Sequence, residues 1–252
     1  MPRRGLYGKL APERDRRTLR LERYLQFSLL PTPPASYNWA TNITSWPAMG
    51  NLTIGDCTIA AAGHLIEEWT ADESGNTVIV PDSEILAAYS AVSGYVPGKP
   101  KTDIGASCLR VLKYWRKTGI GGNKIQAFTS FELKNAALLE TAVYVFGGAY
   151  IGLAMPLSAR NQTTWSVPPQ GTRGRGKPGS WGGHCVPIVG YNSLGLTVVS
   201  WGALYQMTWP FWQTYCDEQF AIISPQWYAK NQVTPVGFNL TQLQSDLTGL
   251  AA

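Results

Sequence analysis

The apolar positions change period partway along the chain. From Cys57 to Trp69 (CTIAAAGHLIEEW) alanines dominate and the apolar residues recur at helical spacing. This predicts a helix with Asp56 as N-cap and a polar end at Glu67 and Glu68. Pro81 to Val92 opens with a capping pattern and predicts a second helix. Ile104 to Thr118, stopped by Gly119, predicts a third, and Phe131 to Val145 a fourth. After Gly147 short apolar runs take over. Tyr150 to Met155 reads as a strand, and Cys185 to Tyr191 with Leu196 to Trp201 as a hairpin turning at Asn192 to Gly195. Phe220 to Ile223 is one more strand. A helical first half before a strand-rich second half is the α+β pattern. Residues 31–36 (PTPPAS) form a stiff linker, residues 166–183 a long Pro/Gly loop, and Asn239 to Leu250 a short amphipathic helix.

Composition adds size and charge. With 252 residues, 44% apolar and 15% charged, the chain is globular and fits one large domain or one domain of two lobes. Ten tryptophans favour a packed interior or a groove for extended ligands. The net charge of +5 is uneven. Arg3, Arg4, Lys9, Arg14, Arg16, Arg17, Arg20 and Arg23 face only Glu13, Asp15 and Glu22 before residue 25, which leaves the remainder near neutral. Residues 1–24 read as a solvated tail or, more sharply, as an arm that docks an acidic protein partner. The body lacks a basic helix with interleaved aromatics, which disfavours nucleic acid. No apolar run is long enough for a membrane span, and none follows the basic start as an export signal requires. Cys57, Cys108, Cys185 and Cys216 have no close CxxC spacing, so neither a metal nor another cofactor is expected and free thiols are the default.

One helix start could carry chemistry. A thiol is a good nucleophile only as thiolate, and a helix N-terminus together with a histidinium lowers its pKa. Cys57 has the first feature. His64 lies seven residues on, about 10 Å along the helix axis, beyond hydrogen-bond reach, and reads as a core histidine. His184 is then the one candidate base. Taken alone, Cys57 reads more readily as a small buried hydrophobe.

The order of motifs resembles the papain family of cysteine peptidases. Tyr37-Asn38-Trp39 resembles the family's Val-Asp-Trp, and Trp39 stands eighteen residues before Cys57. Asn51 to Cys57 (NLTIGDC) resembles Gln-x-x-x-Gly-Ser-Cys, and Asp82 to Leu86 (DSEIL) resembles Ser-Glu-Gln-Glu-Leu. Ile104 to Ile120 resembles the next helix of the family. Gly183 to Tyr191 (GHCVPIVGY) resembles Asp-His-Ala-Val-x-x-Val-Gly-Tyr, and Ser200-Trp201-Gly202 resembles Asn-Ser-Trp-Gly. The general texture is also similar to papain-like proteins of bacteriophages and their bacterial hosts, which implies the cytoplasm or a phage virion.

The resemblance implies a two-lobed papain-like fold. Residues 1–30 would be an arm, 31–232 the papain-like domain (helical lobe about 37–146, antiparallel β-barrel-like lobe about 147–232) and 233–252 a tail. It implies acyl transfer on peptide bonds in an interlobe groove that takes a peptide or protein substrate. Cys57 would be the nucleophile, His184 the base, Asn51 an oxyanion donor and Trp201 the shield over the imidazole. Three positions depart from the family. Val199 stands where the family has its catalytic Asn, leaving Ser200 or a backbone carbonyl to support the imidazole. Asn51 is one methylene shorter than Gln. Ile54 replaces a cysteine of the usual disulfide. The arm is shorter than a full inhibitory propeptide. The first departure and the basic arm favour an alternative, a weak or inactive papain fold kept for binding.

Overall fold

The computed structural model describes residues 7–24, 30–74 and 76–228. The expected helix at Asn239 to Leu250 lies outside them. Strand β1 (Leu19–Arg20) and helix α1 (Leu21–Tyr24) precede β2 (Tyr37–Asn38) and three longer helices, α2 (Cys57–Ser74), α3 (Asp82–Ser93) and α4 (Cys108–Lys117). Strand β3 (Ala127–Ser130) and helix α5 (Ala136–Phe146) lead into β4 (Ala149–Met155), β5 (Thr164–Trp165), β6 (Gly182–Asn192), β7 (Gly195–Ser200), β8 (Ala203–Thr208), α6 (Trp209–Tyr215) and β9 (Cys216–Ile223). The sheet order is β1-β3-β9-β4-β6-β7-β8-β5, with β2 also on β6. Its pairings are antiparallel except β1 with β3 and β5 with β8. The α+β expectation holds.

Local chemistry explains where the boundaries moved. Helix α2 runs past Glu67 and Glu68 because it is the central helix and not a surface one. Both carboxyls are buried there, and burial pushes Glu67 up to about 8 and raises Glu68 well above its usual value. The third helix begins at Cys108, where the Ser107 hydroxyl accepts from the Arg110 amide as N-cap. The fourth begins at Ala136, where the Asn135 side chain accepts from the Leu138 amide. Residues 131–135 form a turn after strand β3, which pairs with β9 and so ties the helical half to the sheet. The hairpin turn at Asn192 is as expected, with the Asn192 side chain accepting from the Leu194 and Gly195 amides.

Tryptophans brace the core by satisfying one helix end. The last carbonyls of a helix lack intrahelical partners. At the end of α5 the indole N–H of Trp227 donates to the Val145 carbonyl at 2.9 Å, and that of Trp39 joins the Gly147 and Gly148 amides on the Val143 carbonyl, at 2.8 Å. Trp69 of α2 donates to the Gly147 carbonyl at 3.0 Å and stacks on Trp115 of α4. One buried ring thereby joins α2, α4 and the end of α5. Trp69→Ala is expected to cost about 3–5 kcal/mol of unfolding free energy, measured by denaturant titration; a loss below about 1 kcal/mol would contradict this bracing role.

Candidate active site

Cys57 opens helix α2, and the Asp56 carbonyl accepts the first bonds of the helix, from Ile59 and Ala60. Asp56 therefore caps with its backbone. Its carboxyl lies beside the Asn51 amide and is pushed up to about 8 by burial, against that amide's pull. Burial thus disfavours the charged form of Asp56, which limits the negative charge it sets beside the thiol. Asn51 is buried and donates to the Ile54 carbonyl at 3.1 Å, closing the loop that enters the helix.

The hydroxyl of Tyr150 on β4 donates to the Thr58 carbonyl at 2.8 Å, pinning the helix start to the sheet. The backbone amides of Cys185 and Gly8 face the Cys57 sulfur. Cys57 thus sits beside the strand that carries His184. Burial, with the Cys185 thiol and Asp56 adding to it, nevertheless drives the Cys57 thiol well above its usual range.

His184 is held on three sides. Its Nε2 lies 2.8 Å from the Ser200 hydroxyl. Trp201 stacks on the ring at 4.7 Å between centroids and 21° between planes, and Trp165 meets its edge. Trp201 has φ of +50°, a conformation rare for a bulky residue, which turns its indole over the imidazole. Val199 faces the other side of β7, into a small cluster with Ala40, Trp46 and Val189. Strand alternation therefore hands the position beside the imidazole to Ser200. His184 Nδ1 has no hydrogen-bond partner among the described residues. Burial lowers the His184 pKa to about 3.

His64 is a core histidine, as the spacing argument expects. Its Nε2 lies 2.8 Å from the Pro47 carbonyl, its ring meets the edge of Trp46, and burial lowers its pKa to about 4. All four cysteines are free.

The N-terminal arm departs most from expectation. In its described part it is not a solvated tail: Tyr7 to Leu10 bridge Ala106, just before α4, and Gly183 of β6, with Gly8 at Cys57 and Tyr7 on His184. The Lys9 amide donates to the Gly183 carbonyl at 3.0 Å, the Leu10 amide to the Ala106 carbonyl at 3.0 Å, and the Ala106 amide to the Gly8 carbonyl at 2.7 Å. The Tyr7 ring packs on His184, Trp181 and Trp201 with centroid distances of 5.0, 4.5 and 5.6 Å. Gly8 permits the fit, since a Cβ there would overlap the Gly55 carbonyl. Beyond Leu10, β1 of the arm adds an edge strand to β3, Leu21 is buried, and Glu13 and Asp15 pair with Arg110 and Lys113. Lys9 finds acidic neighbours within the same chain. Asp217 and Glu218 lie 2.9 and 3.1 Å from its ammonium. Nothing in a lone Lys9, 208 residues from Asp217, could reveal this in the sequence.

The fold as a whole matches that of solved papain-like cysteine proteases. Xylellain, a cysteine protease from Xylella fastidiosa, superposes with a TM-score of 0.68 at 16% identity over 87% of this chain and 96% of its own. Procathepsin B S9 from Trypanosoma congolense gives 0.60 at 11% identity over 87% and 86%. The Carica candamarcensis protease CMS1MS2, solved with E-64, gives 0.54 at 16% over 76% and 99%. No family model and no curated protein matches the sequence.

Both histidines should stay neutral well below pH 6.5. A lowered pKa means that the unfolded chain takes up its protons first, so these groups cost stability as pH falls from about 6.5 toward 4. NMR should show no titration of either imidazole between pH 7.5 and 5, and His64→Gln should show a shallower loss of stability over pH 6.5 to 4. A midpoint near 6.5 for either ring would refute the buried geometry.

Proposed function

We propose that the protein is a latent cysteine peptidase whose own N-terminal segment closes the groove. The carrying observation is the set imidazole: Nε2 on Ser200, one face on Trp201, Nδ1 without a partner, on the strand beside Cys57. With the groove open, water reaches the pair and the desolvation that now holds both groups neutral is relieved. In the tautomer where Nε2–H donates to Ser200, Nδ1 is the bare base. It accepts the Cys57 proton as the sulfur attacks the substrate carbonyl. The oxyanion takes a hydrogen bond from the Cys57 amide, whose place in the first turn leaves it without an intrahelical partner, and a second from Asn51 once its side-chain amide turns from the Ile54 carbonyl and Asp56. The imidazolium returns its proton to the leaving amine. Water, deprotonated by Nδ1, then hydrolyses the thioester and frees Cys57. Ser200 is a positioning residue in this scheme, in the role the resemblance gives to the missing Asn.

The segment resists its own enzyme. The Gly8 carbonyl is held by the Ala106 amide, away from the donors that would stabilise an oxyanion, so it is posed as a plug and not as a substrate. The substrate class is a peptide, as in neighbours solved with the inhibitor E-64.

The test is E-64 labelling of Cys57 read by mass spectrometry. Wild type should label slowly. Lys9→Glu, which sets a third carboxyl against Asp217 and Glu218, should open the groove and label at least about ten-fold faster, and His184→Ala should abolish that gain. Equal, slow labelling in folded wild type and Lys9→Glu would instead favour a fold kept for binding. Ser200→Ala in the opened protein should lower kcat by about ten-fold, the worth of one hydrogen bond, with Ser200→Asn recovering it.

A further inference from the structure

The segment that fills the groove carries one fully buried side chain, and the protein has built a site for it. Lys9 is 6% exposed as a residue and 1% as a side chain. Its ammonium meets the Asp217 carboxylate at 2.9 and 3.0 Å and Glu218 at 3.1 Å, and donates to its own neighbour, the Leu10 carbonyl, at 3.2 Å. The floor is Gly152 of β4, where a Cβ would overlap the lysine Cε. The missing side chain is what gives an aliphatic stem its passage between β4 and β9. Gly152 pairs directly with Glu218 in the sheet, so passage and acid are set by one register.

The site is matched to a cation, with the Glu218 side chain buried and the Asp217 side chain 29% exposed. Two carboxyls serve one ammonium. Burial pushes the Glu218 carboxyl up, and Lys9 works against that rise. Burial by itself would lower the Lys9 pKa; the Cys108 thiol, Glu218 and Asp217 outweigh it, and the net direction is upward. Remove the lysine, and two acids remain in a glycine-floored pocket within one residue of the Gly8 that covers Cys57. A buried unpaired carboxylate is costly, so the vacated pocket favours an incoming positive charge and rejects an acidic or purely apolar side chain. Arginine suits it as well, since a guanidinium can meet both carboxyls.

We propose that the pocket formed by Gly152, Asp217 and Glu218 selects a lysine or arginine side chain in the peptides that this groove accepts, and that Lys9 occupies it as an internal mimic. The inference rests on the reading of the groove as a peptidase cleft and adds its substrate preference. The pose of the arm, with its Gly8 carbonyl on Ala106, differs from that of a cleaved chain. The pocket therefore fixes the side-chain class and not the position of the scissile bond.

The experiment uses the full chain carrying Lys9→Glu, with folding checked by its melting curve, and Lys9→Met as a second opened variant should Lys9→Glu not fold. A fluorogenic peptide library varied one position at a time is offered to it. One position should prefer Lys and Arg over Leu and Glu by at least about ten-fold in kcat/KM, and adding Asp217→Asn with Glu218→Gln should erase that discrimination. Turnover with no basic preference at any position, or a preference that survives the double substitution, overturns the pocket while leaving the peptidase reading intact. Should no peptide be cleaved, the peptidase reading falls and the pocket is judged by binding. Protection of Cys57 from iodoacetamide by the peptide Gly-Leu-Tyr-Gly-Lys-Leu-Ala-Pro, lost when its Lys is Ala, upholds the pocket, and equal protection by both peptides refutes it.

Discussion

Burial of the start of α2 against the sheet is the constraint on which the other features rest. Ile59, Ala62, Leu65 and Trp69 reach essentially zero exposure, which lets one helix serve as the core of both halves. Because Tyr150 ties Thr58 to β4, the residue before it cannot drift from β6. Cys57 is therefore placed beside the His184 strand by packing, and not by any bond between the two side chains. The buried acids of α2 follow from the same arrangement: a helix so enclosed keeps Glu67 and Glu68 inside, where burial raises both carboxyls.

The groove is closed by charge and shape more than by area. Exposed pairs such as Asp15 with Arg17 and Lys113 contribute little each, because water screens them. The hold comes from a buried ammonium, a tyrosine ring among aromatic neighbours and three backbone hydrogen bonds. All three act within four residues, so the seal is local. The rest of the arm, through β1 and Leu21, stays attached to the body by separate contacts.

Much of the fold was legible because the signals were periodic and local. The helix from Cys57, the hairpin around Asn192 and the cap-like start near Pro81 are written in neighbouring residues. The starts of α4 and α5 were misplaced by four or five residues, because apolar runs before Ser107 and Asn135 mimic helix while the caps decide. Strand β8 alternates in burial from Ala203 to Thr208, a pattern open to reading but overlooked beside the stronger hairpin. Val199 looked like a lost catalytic residue; alternation along β7 puts Ser200 on the imidazole side instead. The arm was misread because its meaning lies in pairings across nearly the whole chain. Charge counting saw eight basic residues there and could not see that one of them is buried.

The aromatic cluster at the mouth of the groove has an optical consequence. Trp181 is only half-buried, and the Tyr7 ring against it supplies much of its cover. Once the segment leaves, that indole faces solvent, and Trp201, which Tyr7 also covers, loses part of its shield. Emission from Trp181 would move to longer wavelength and become open to collisional quenching by iodide or acrylamide. The protein thus carries its own spectroscopic gauge of whether the groove is shut.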